Sequence, residues 1–313
     1  MVQFFKNWTL PIAMLAGILG YFAFVSIPIL APAKPFVNEL IGFLQPLLIF
    51  AMLFLSFCKV NPHELRLRPL HLWLLLVQVG TFCLLGLLLY LFPHSPYRVI
   101  VEAAMICMIT PTATAAAVVT GKLGGDTQAL VSYTILINIA SAICIPLVLS
   151  LVGTSASLDF WPSFLLILHK VFPLLIFPFL AAWAVRVYLP KWHRRLVECA
   201  GVAFYLWAVA LVIAIAVTVR SIVHSHVSLG YELGIAGVSL LCCIVQFAVG
   251  KTIGARYHDR IGGGQSLGQK NTVFSIWLGA TFLSPVTAIA GGFYSVWHNL
   301  FNSYQLYRKR QGQ

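Results

Sequence analysis

A lysine and an asparagine lie side by side in a stretch of sequence that is otherwise typical of a membrane-spanning helix. The stretch, GGGQSLGQKNTVFSIWLGA at residues 262–280, begins with three glycines, continues with polar side chains and ends with apolar ones. Its one charged residue is Lys270, which precedes Asn271. A charge is costly at the depth of a bilayer, so an intramembrane lysine is a candidate for function, here the attraction of an anion.

A second candidate cluster lies in the stretch MITPTATAAAVV at residues 108–119. Pro111 removes a helical hydrogen bond and clashes with the preceding turn, which predicts a break in the helix. A broken helix presents free N–H groups and the positive end of a helix dipole, and both favour anions. Thr112, Thr114, Lys270 and Asn271 are therefore candidate substrate-binding residues. Close helix packing through small residues is the alternative explanation for this stretch.

Helices in a bilayer are the elements that must position these residues. Of the 313 residues, 60% are hydrophobic and only 9% are charged. A soluble domain has about 25% charged residues. One span needs about 20 mostly apolar residues, and ten candidate spans fill the chain without room for a sizeable soluble domain. They lie at residues 10–31, 37–57, 70–92, 98–121, 127–152, 161–187, 200–222, 230–254, 264–283 and 285–304.

Basic residues divide unequally between the two sides that these spans define. With loops assigned alternately, one side receives only Lys34, Arg98 and Arg220 of the 20 Lys and Arg residues. Lys170 and Lys270 fall within spans, so the other side receives the remaining fifteen (20 − 3 − 2). The basic side is cytoplasmic by the positive-inside rule. We expect both termini in the cytoplasm, a location in the plasma membrane (the inner membrane of a bacterium), and no nucleic-acid partner for the net charge of +12.

Motifs of the common catalytic and metal centres are absent from the sequence. It contains neither H-E-x-x-H nor G-x-S-x-G, and Asp126, Asp159 and Asp259 fall in predicted loops, where they cannot form an intramembrane protease pair. The seven cysteines are odd in number and include no C-x-x-C. We therefore expect neither an enzyme nor a cofactor. A membrane sensor that does not transport is the alternative from another functional class.

The ten spans divide into two halves of five, at about residues 1–155 and 156–313. Because five is odd, the two halves have opposite orientations in the membrane, as in the inverted repeats of many secondary transporters. The fourth and ninth spans are then equivalent, and we expect both to be broken. The fourth is broken at Pro111, and the ninth at the glycine cluster and the polar residues around Lys270. Interrupted spans at equivalent positions indicate a binding site at the middle of the bilayer.

The sequence resembles the bile acid:sodium symporter family in three segments. The segment FYSVWHN at 293–299 is nearly identical to an element at the start of the family's tenth helix. PTATAAAV at 111–118 aligns with the family's Pro-Gly-Gly-Thr-Ala-Ser-Asn-Val in the fourth helix, and SLGQKN at 266–271 aligns with Glu-x-Gly-x-Gln-Asn in the ninth. The resemblance covers nearly the whole chain.

The resemblance implies one transmembrane transporter domain over residues 1–313. It is all α-helical, with a panel of helices 1, 2, 6 and 7, a core of helices 3–5 and 8–10, and discontinuous helices 4 and 9 that cross. It also implies that His298 and Asn299 lie near a cavity for an organic anion such as a bile acid or a smaller carboxylate. Packing within the bundle is an equally good explanation for His298.

Departures from the family pattern concern the sodium ligands. Family side chains that help to hold two sodium ions are replaced here by Ala116, Ala117, Ser266 and Lys270. Gln78 and Thr134 align with other family ligands, but alone they cannot rebuild a site. Methyl groups offer no oxygen, and an ammonium repels a nearby cation, so we expect no sodium site.

The resulting hypothesis is that Lys270 takes the place of a bound sodium ion and attracts an anionic substrate. Lys270 and Glu102 are also candidate proton carriers, and Glu102 is a candidate partner for Lys270. Proton-coupled transport and retained sodium coupling stay open as alternatives. In a further alternative, Lys270 only extends to the cytoplasmic interface, as long basic side chains near span ends do. The sequence leaves the substrate and the oligomeric state open.

Overall fold

The computed structural model describes residues 2–61, 65–153, 159–198, 202–225 and 227–312. This part of the chain is all-helical, with thirteen α-helices and one 3-10 helix, Pro28–Ala33, and without a β-strand. The α-helices are α1 Val2–Ser26, α2 Lys34–Cys58, α3 Pro69–Leu91, α4 Arg98–Ile109, α5 Ala116–Leu123, α6 Thr127–Val152, α7 Phe160–Tyr188, α8 Pro190–Glu198, α9 Val202–Val223, α10 Leu229–Arg256, α11 Arg260–Gly268, α12 Thr272–Phe282 and α13 Ala288–Arg310.

Six helices in the described part of the chain are long and apolar enough to cross a membrane: α2, α3, α6, α7, α9 and α10. Their lengths and composition support a membrane-embedded protein. The fourth and ninth predicted spans are each divided into two shorter helices, α4 with α5 and α11 with α12. Among the shorter helical stretches, Pro11–Ser26 in α1 and Thr272–Phe282 are apolar. The full set of ten spans and the inverted repeat stay predictions.

One helix was missed by the sequence analysis, which assigned its residues to a loop. This helix, α8, has nine residues, none of them buried. Its basic side chains include Arg195, whose guanidinium lies 5.5 Å from the centre of the Trp192 ring. Basic residues and tryptophan on one short exposed helix suit the surface of a membrane better than its interior.

Contacts divide the chain into two compact units. The first contains Met1–Lys59 and Phe177–His226, and the second contains Val60–Ile176 and Val227–Gln313. The first unit thus has α1, α2, α8, α9 and the end of α7, while the second has α3–α6, α10–α13 and the start of α7. All candidate site residues of the sequence analysis belong to the second unit.

Packing in the first unit brings α1 against α9. A Cβ atom on Gly17 would lie 2.7 Å from the carbonyl oxygen of Val212, so only glycine permits this approach. Ala13, Leu211 and Ile215 form the buried cluster beside it. Small residues at helix contacts are typical of membrane bundles.

Glycines have the same role in the second unit, where α11 packs on α10. A Cβ atom on Gly263 would lie 2.8 Å from the Cα atom of Gly254. The three glycines at 262–264 are helical and buried. Our expectation that this glycine cluster belongs to the break in the ninth span is therefore wrong, because these residues lie within α11 and allow its backbone to approach α10 closely.

The start of α6 is fixed by Asp126, whose carboxylate accepts hydrogen bonds from the N–H groups of Gln128 and Ala129. The carboxylate also forms an ion pair with Arg68 at 2.7 Å. Partial burial alone would raise the pKa of Asp126, but these hydrogen bonds and Arg68 lower it overall. Asp126 thereby anchors the helix that brings Tyr133 and Ser141 to the site described next.

Candidate functional site

The fourth predicted span is interrupted at its proline. Helix α4 ends at Ile109, α5 begins at Ala116, and the residues between them are unwound. Pro111 has no N–H group and cannot continue the helical hydrogen bonds. The Thr110 hydroxyl instead donates to the Ile106 carbonyl at 2.7 Å and closes the last turn of α4. The break predicted near Pro111 is present.

The ninth predicted span is interrupted at the lysine. Helix α11 ends at Gly268 and α12 begins at Thr272, which leaves Gln269, Lys270 and Asn271 between them. The Asn271 side chain caps α12 by accepting a hydrogen bond from the Phe274 N–H at 3.3 Å. Asn271 was predicted to bind substrate, whereas the hydrogen bond of its side chain in the structure is this cap.

The two unwound segments meet and hydrogen-bond through their backbones. The Ala113 N–H donates to the Gln269 carbonyl at 2.8 Å, and the Asn271 N–H donates to the Pro111 carbonyl at 2.9 Å. Thr112 and Lys270 thus pair as an isolated antiparallel bridge. Buried backbone groups need partners, and here each broken helix supplies them to the other.

Side-chain contacts reinforce this crossing. The Thr112 hydroxyl donates to the Ser266 carbonyl at 2.7 Å, which ties the first unwound segment to the last turn of α11. Thr112 and Ser266 are both buried. Ser266 therefore contributes a backbone oxygen at this point, although the sequence analysis considered its side chain.

Lys270 is buried at the crossing, with only 1% of its surface exposed. Its ammonium donates to the Met108 carbonyl at 3.2 Å. Met108 belongs to the last turn of α4, where unpaired carbonyls give the helix end a partial negative charge. The alternative in which Lys270 extends to the cytoplasmic interface is wrong, because the side chain points into the protein.

In the described part of the chain, thiols and not carboxylates surround the Lys270 ammonium. Cys107, Cys242 and Cys243 lie near enough to interact electrostatically with its ammonium. The ion pairs found in the described residues, Arg68 with Asp126 and Arg98 with Glu102, do not include Lys270. An acidic partner for Lys270 is therefore not found among the described residues.

Glu102 has partners of its own. Its carboxylate accepts hydrogen bonds from Arg98 at 2.8 Å and from the Thr287 hydroxyl at 2.9 Å. Arg98 also donates to the Val152 carbonyl. The hypothesis that Glu102 is the partner of Lys270 is wrong in this conformation, since both oxygens of its carboxylate are engaged elsewhere.

Gln78, aligned with a sodium ligand in the sequence analysis, completes the end of α4. Its amide nitrogen donates to the carbonyls of Ile109 and Thr110 at 3.2 and 2.9 Å, and its amide oxygen accepts from the Tyr133 hydroxyl at 2.7 Å. The Ser141 hydroxyl also donates to the Ile109 carbonyl at 3.1 Å. Gln78 thus satisfies backbone groups that the break leaves free.

The other positions aligned with sodium ligands make local contacts. Ala116 is buried and Ala117 half-buried in α5, where their methyl groups offer no ligand. The Thr134 hydroxyl donates to the Leu130 carbonyl of its own helix at 2.9 Å. Groups of three or more His, Cys, Asp or Glu side chains suited to a metal are absent from the described residues.

His298 contacts the crossing directly. The Lys270 N–H donates to its Nδ1 atom at 3.3 Å, which places the ring against the unwound segment. By contrast, Asn299 donates to the Ser295 carbonyl of its own helix at 2.7 Å. Thr114 is half-buried in the first unwound segment. The family resemblance places both His298 and Asn299 near the substrate cavity. In the structure, His298 contacts Lys270 and Asn299 does not.

Two residues that the sequence analysis missed belong to this network. The Gln246 side chain donates to the Cys107 carbonyl at 3.2 Å and to the Tyr294 hydroxyl at 3.0 Å. The Tyr294 hydroxyl in turn donates to the Gly268 carbonyl at 2.9 Å, at the end of α11. The sequence signal for Gln246 was a single glutamine in an apolar span. The same signal marks Gln78 in α3.

No family model matches this chain, and no curated protein is similar enough to it to count as a match. Membership of the symporter family is therefore not shown, and the proposal below rests on the geometry of the crossing.

Proposed function

We propose that the protein is a secondary transporter that carries a small or amphipathic organic anion across the plasma membrane by alternating access. The observation that carries this proposal is the crossing of two interrupted helices around a buried lysine. Interrupted membrane helices present backbone groups and dipole ends to a substrate at the middle of the bilayer. The resemblance to bile acid:sodium symporters suggests the same class of substrate.

Lys270 takes the place of a bound sodium ion in this proposal. Its ammonium contacts the Met108 carbonyl, an oxygen of the kind that a cation would otherwise coordinate. A sodium ion 4 Å from the Lys270 ammonium would be repelled by about 4 kcal/mol at an effective dielectric constant near 20. Sodium and the Lys270 ammonium therefore exclude each other from this position.

The substrate anion reaches Lys270 only after a change in conformation. Lys270 is almost fully buried here, and Thr112 beside it is buried as well. The half-buried residues Ala113 and Thr114 form the more accessible edge of the crossing. We assign the present conformation to a closed state of the carrier, and alternating access supplies the opening that admits the anion.

The driving ion in this proposal is a proton. An anion that accumulates against an inside-negative potential must enter with a positive charge. A buried lysine can release its proton in the empty carrier and take one up with the anion, since the anion stabilises the charged form. Glu102 is the second candidate carrier, although Arg98 and Thr287 hold it in this conformation.

The decisive experiment is flux in proteoliposomes with a panel of radiolabelled organic acids. Uptake of at least one acid is expected, and it should persist when sodium is replaced by potassium or choline. Dependence on sodium would contradict the role given to Lys270. Binding of an acid without any flux would contradict transport and favour a sensor on the same fold.

A further inference from the structure

A cavity of about 420 Å³ lies within the first compact unit, lined by residues of α1, α2 and α9. This volume falls within the range of about 300–1,000 Å³ that is typical of small-molecule sites. Phe24, Ile41 and Val217 contribute apolar surface, one from each helix. The cavity is separate from Lys270, which belongs to the second unit.

Two basic side chains line the same cavity. Lys34 comes from the first turn of α2 and Arg220 from the last turn of α9. Arg220 donates to the Asn38 side chain at 2.6 Å. Neither basic residue belongs to the ion pairs of the described residues. Two positive charges thus border one cavity, and the part of the chain that the structure describes gives neither of them an acidic partner.

These two residues have an unusual place in the predicted topology. Only Lys34, Arg98 and Arg220 were assigned to the side with few basic residues, and Arg98 is paired with Glu102 at 2.8 Å. The other two basic residues of that side, which form no ion pair among the described residues, therefore converge on the cavity. Basic residues are depleted on this side of a membrane, so their convergence indicates a function.

The N-terminus of α2 adds to the positive charge. Its N-cap, Ala33, offers no side-chain hydrogen bond, so the first N–H groups of the helix are without a side-chain cap. Residues of the first turn, Lys34 and Val37, line the cavity. The positive end of the α2 dipole favours phosphate and other anions near this terminus.

The apolar part of the cavity adjoins exposed surface of α1. Val25 lines the cavity and is 41% exposed, and its neighbour Phe22 is 46% exposed. In a membrane such side chains face lipid. A ligand can therefore reach the cavity from the bilayer with an acyl chain along Phe24 and Ile41.

We propose that this cavity binds an anionic phospholipid. Lys34, Arg220 and the N-terminus of α2 hold the phosphate, and the apolar residues hold the upper part of an acyl chain. Arginine suits this role because its planar guanidinium can bind a phosphate through two parallel hydrogen bonds. The site does not depend on the proposed transport.

Native mass spectrometry of the full chain in neutral detergent tests the proposal, with phosphatidylglycerol as the probe. Phosphatidylcholine with the same acyl chains controls for the apolar contribution, and decanoate represents a water-soluble amphipathic anion. Phosphatidylglycerol should bind at least tenfold more tightly than phosphatidylcholine. The double variant Lys34→Gln, Arg220→Gln should lose this preference.

The matched control is the double variant Arg66→Gln, Lys122→Gln, which removes the same charges from exposed positions elsewhere. It should keep the preference. Ala216→Phe fills the cavity while both charges remain, and it should also abolish selective binding, with a melting temperature in detergent close to that of the parent. Equal binding of the two lipids, equal loss in the control, or binding of decanoate alone would overturn the proposal.

Discussion

Lys270 combines two roles at the scale of the single residue, because its backbone bridges the broken helices and its ammonium contacts the end of α4. The sequence alone identified this residue, since a lysine within an apolar stretch is rare and costly. It could not identify the direction of the side chain, which depends on the packing of α4 and α10 around it. The hypothesis that Lys270 extends to the cytoplasmic interface was wrong for that reason.

Lys270→Gln removes the charge and keeps a polar group that can still donate towards Met108. We expect affinity for the transported anion to fall about 10- to 100-fold, in line with about 1.5–3 kcal/mol for a hydrogen bond to a charged group. Uptake by the parent should rise as the outside pH falls, because a proton enters with the anion, and the variant should lose this dependence. Radiolabel uptake across a pH series measures both effects.

Lys170→Gln is the control for that variant. Lys170 is exposed, and its ammonium lies 5.8 Å from the centre of the Phe282 ring. Its loss should change neither affinity nor pH dependence. Parent-like affinity and pH profile in Lys270→Gln would show that the lysine is structural.

Gln78 provides a stability prediction at the same scale. Gln78→Leu leaves the Thr110 carbonyl and the Tyr133 hydroxyl without this partner, and each unpaired buried group costs about 1–3 kcal/mol. The Ile109 carbonyl keeps its hydrogen bond from Ser141. The melting temperature in detergent should fall clearly. Thr81→Val, one turn further along α3, removes only a hydroxyl that donates within its own helix, so it should have little effect. Equal melting temperatures in the two variants would contradict the role of Gln78.

At the scale of elements, both breaks, in the fourth and ninth predicted spans, could be predicted from the sequence. The residues that form the second break could not. Pro111 identified the first break by its missing N–H. The glycines at 262–264 seemed to belong to the second, but they are helical, and the unwound residues are Gln269 to Asn271. A glycine run has no Cβ atoms, which serves close packing as well as flexibility. Only the position of α10 shows that these glycines serve close packing and not flexibility. Helix α8 was missed because its charges resemble those of a loop.

Gly263→Ala tests this packing between α10 and α11. The added Cβ would lie 2.8 Å from the backbone of Gly254, so the helices must separate, and overpacking of this kind costs about 1–3 kcal/mol. The melting temperature should fall, and transport should fall with it because α11 leads to the crossing. Gly237→Ala in α10 is the matched control, since its Cβ would meet nothing within 4 Å. Alanine there should leave stability unchanged or raise it.

At the scale of the whole molecule, length and composition predicted ten spans, while the predicted orientation depends on the distribution of charge. Six helices of the described residues are long and apolar enough to cross a membrane. The inverted repeat of the two halves stays a prediction. Pro111 and Lys270 indicate it only through their equivalent positions. The division at Lys59 and Phe177 into compact units was not predictable from hydropathy, because lipid-facing and protein-facing helices are similarly apolar.

Reporter fusions test the predicted orientation. Green fluorescent protein fused to the C-terminus should fluoresce, because fifteen basic residues favour the cytoplasmic side for both termini. Alkaline phosphatase inserted after His94, in the loop before Arg98, should be active, because the predicted topology places this loop on the side opposite the cytoplasm. A C-terminal phosphatase fusion, expected to be inactive, is the control. The reverse pattern would show that the charge rule fails here and would place Lys34 and Arg220 in the cytoplasm.

The bridge between Thr112 and Lys270 is built from backbone atoms, which nearly every amino acid possesses. Substitution at position 270 can therefore leave the joint between the two helices in place while it changes the charge displayed there. In the proposed carrier, the coupling ion can therefore change through a few substitutions at the crossing while the fold is kept.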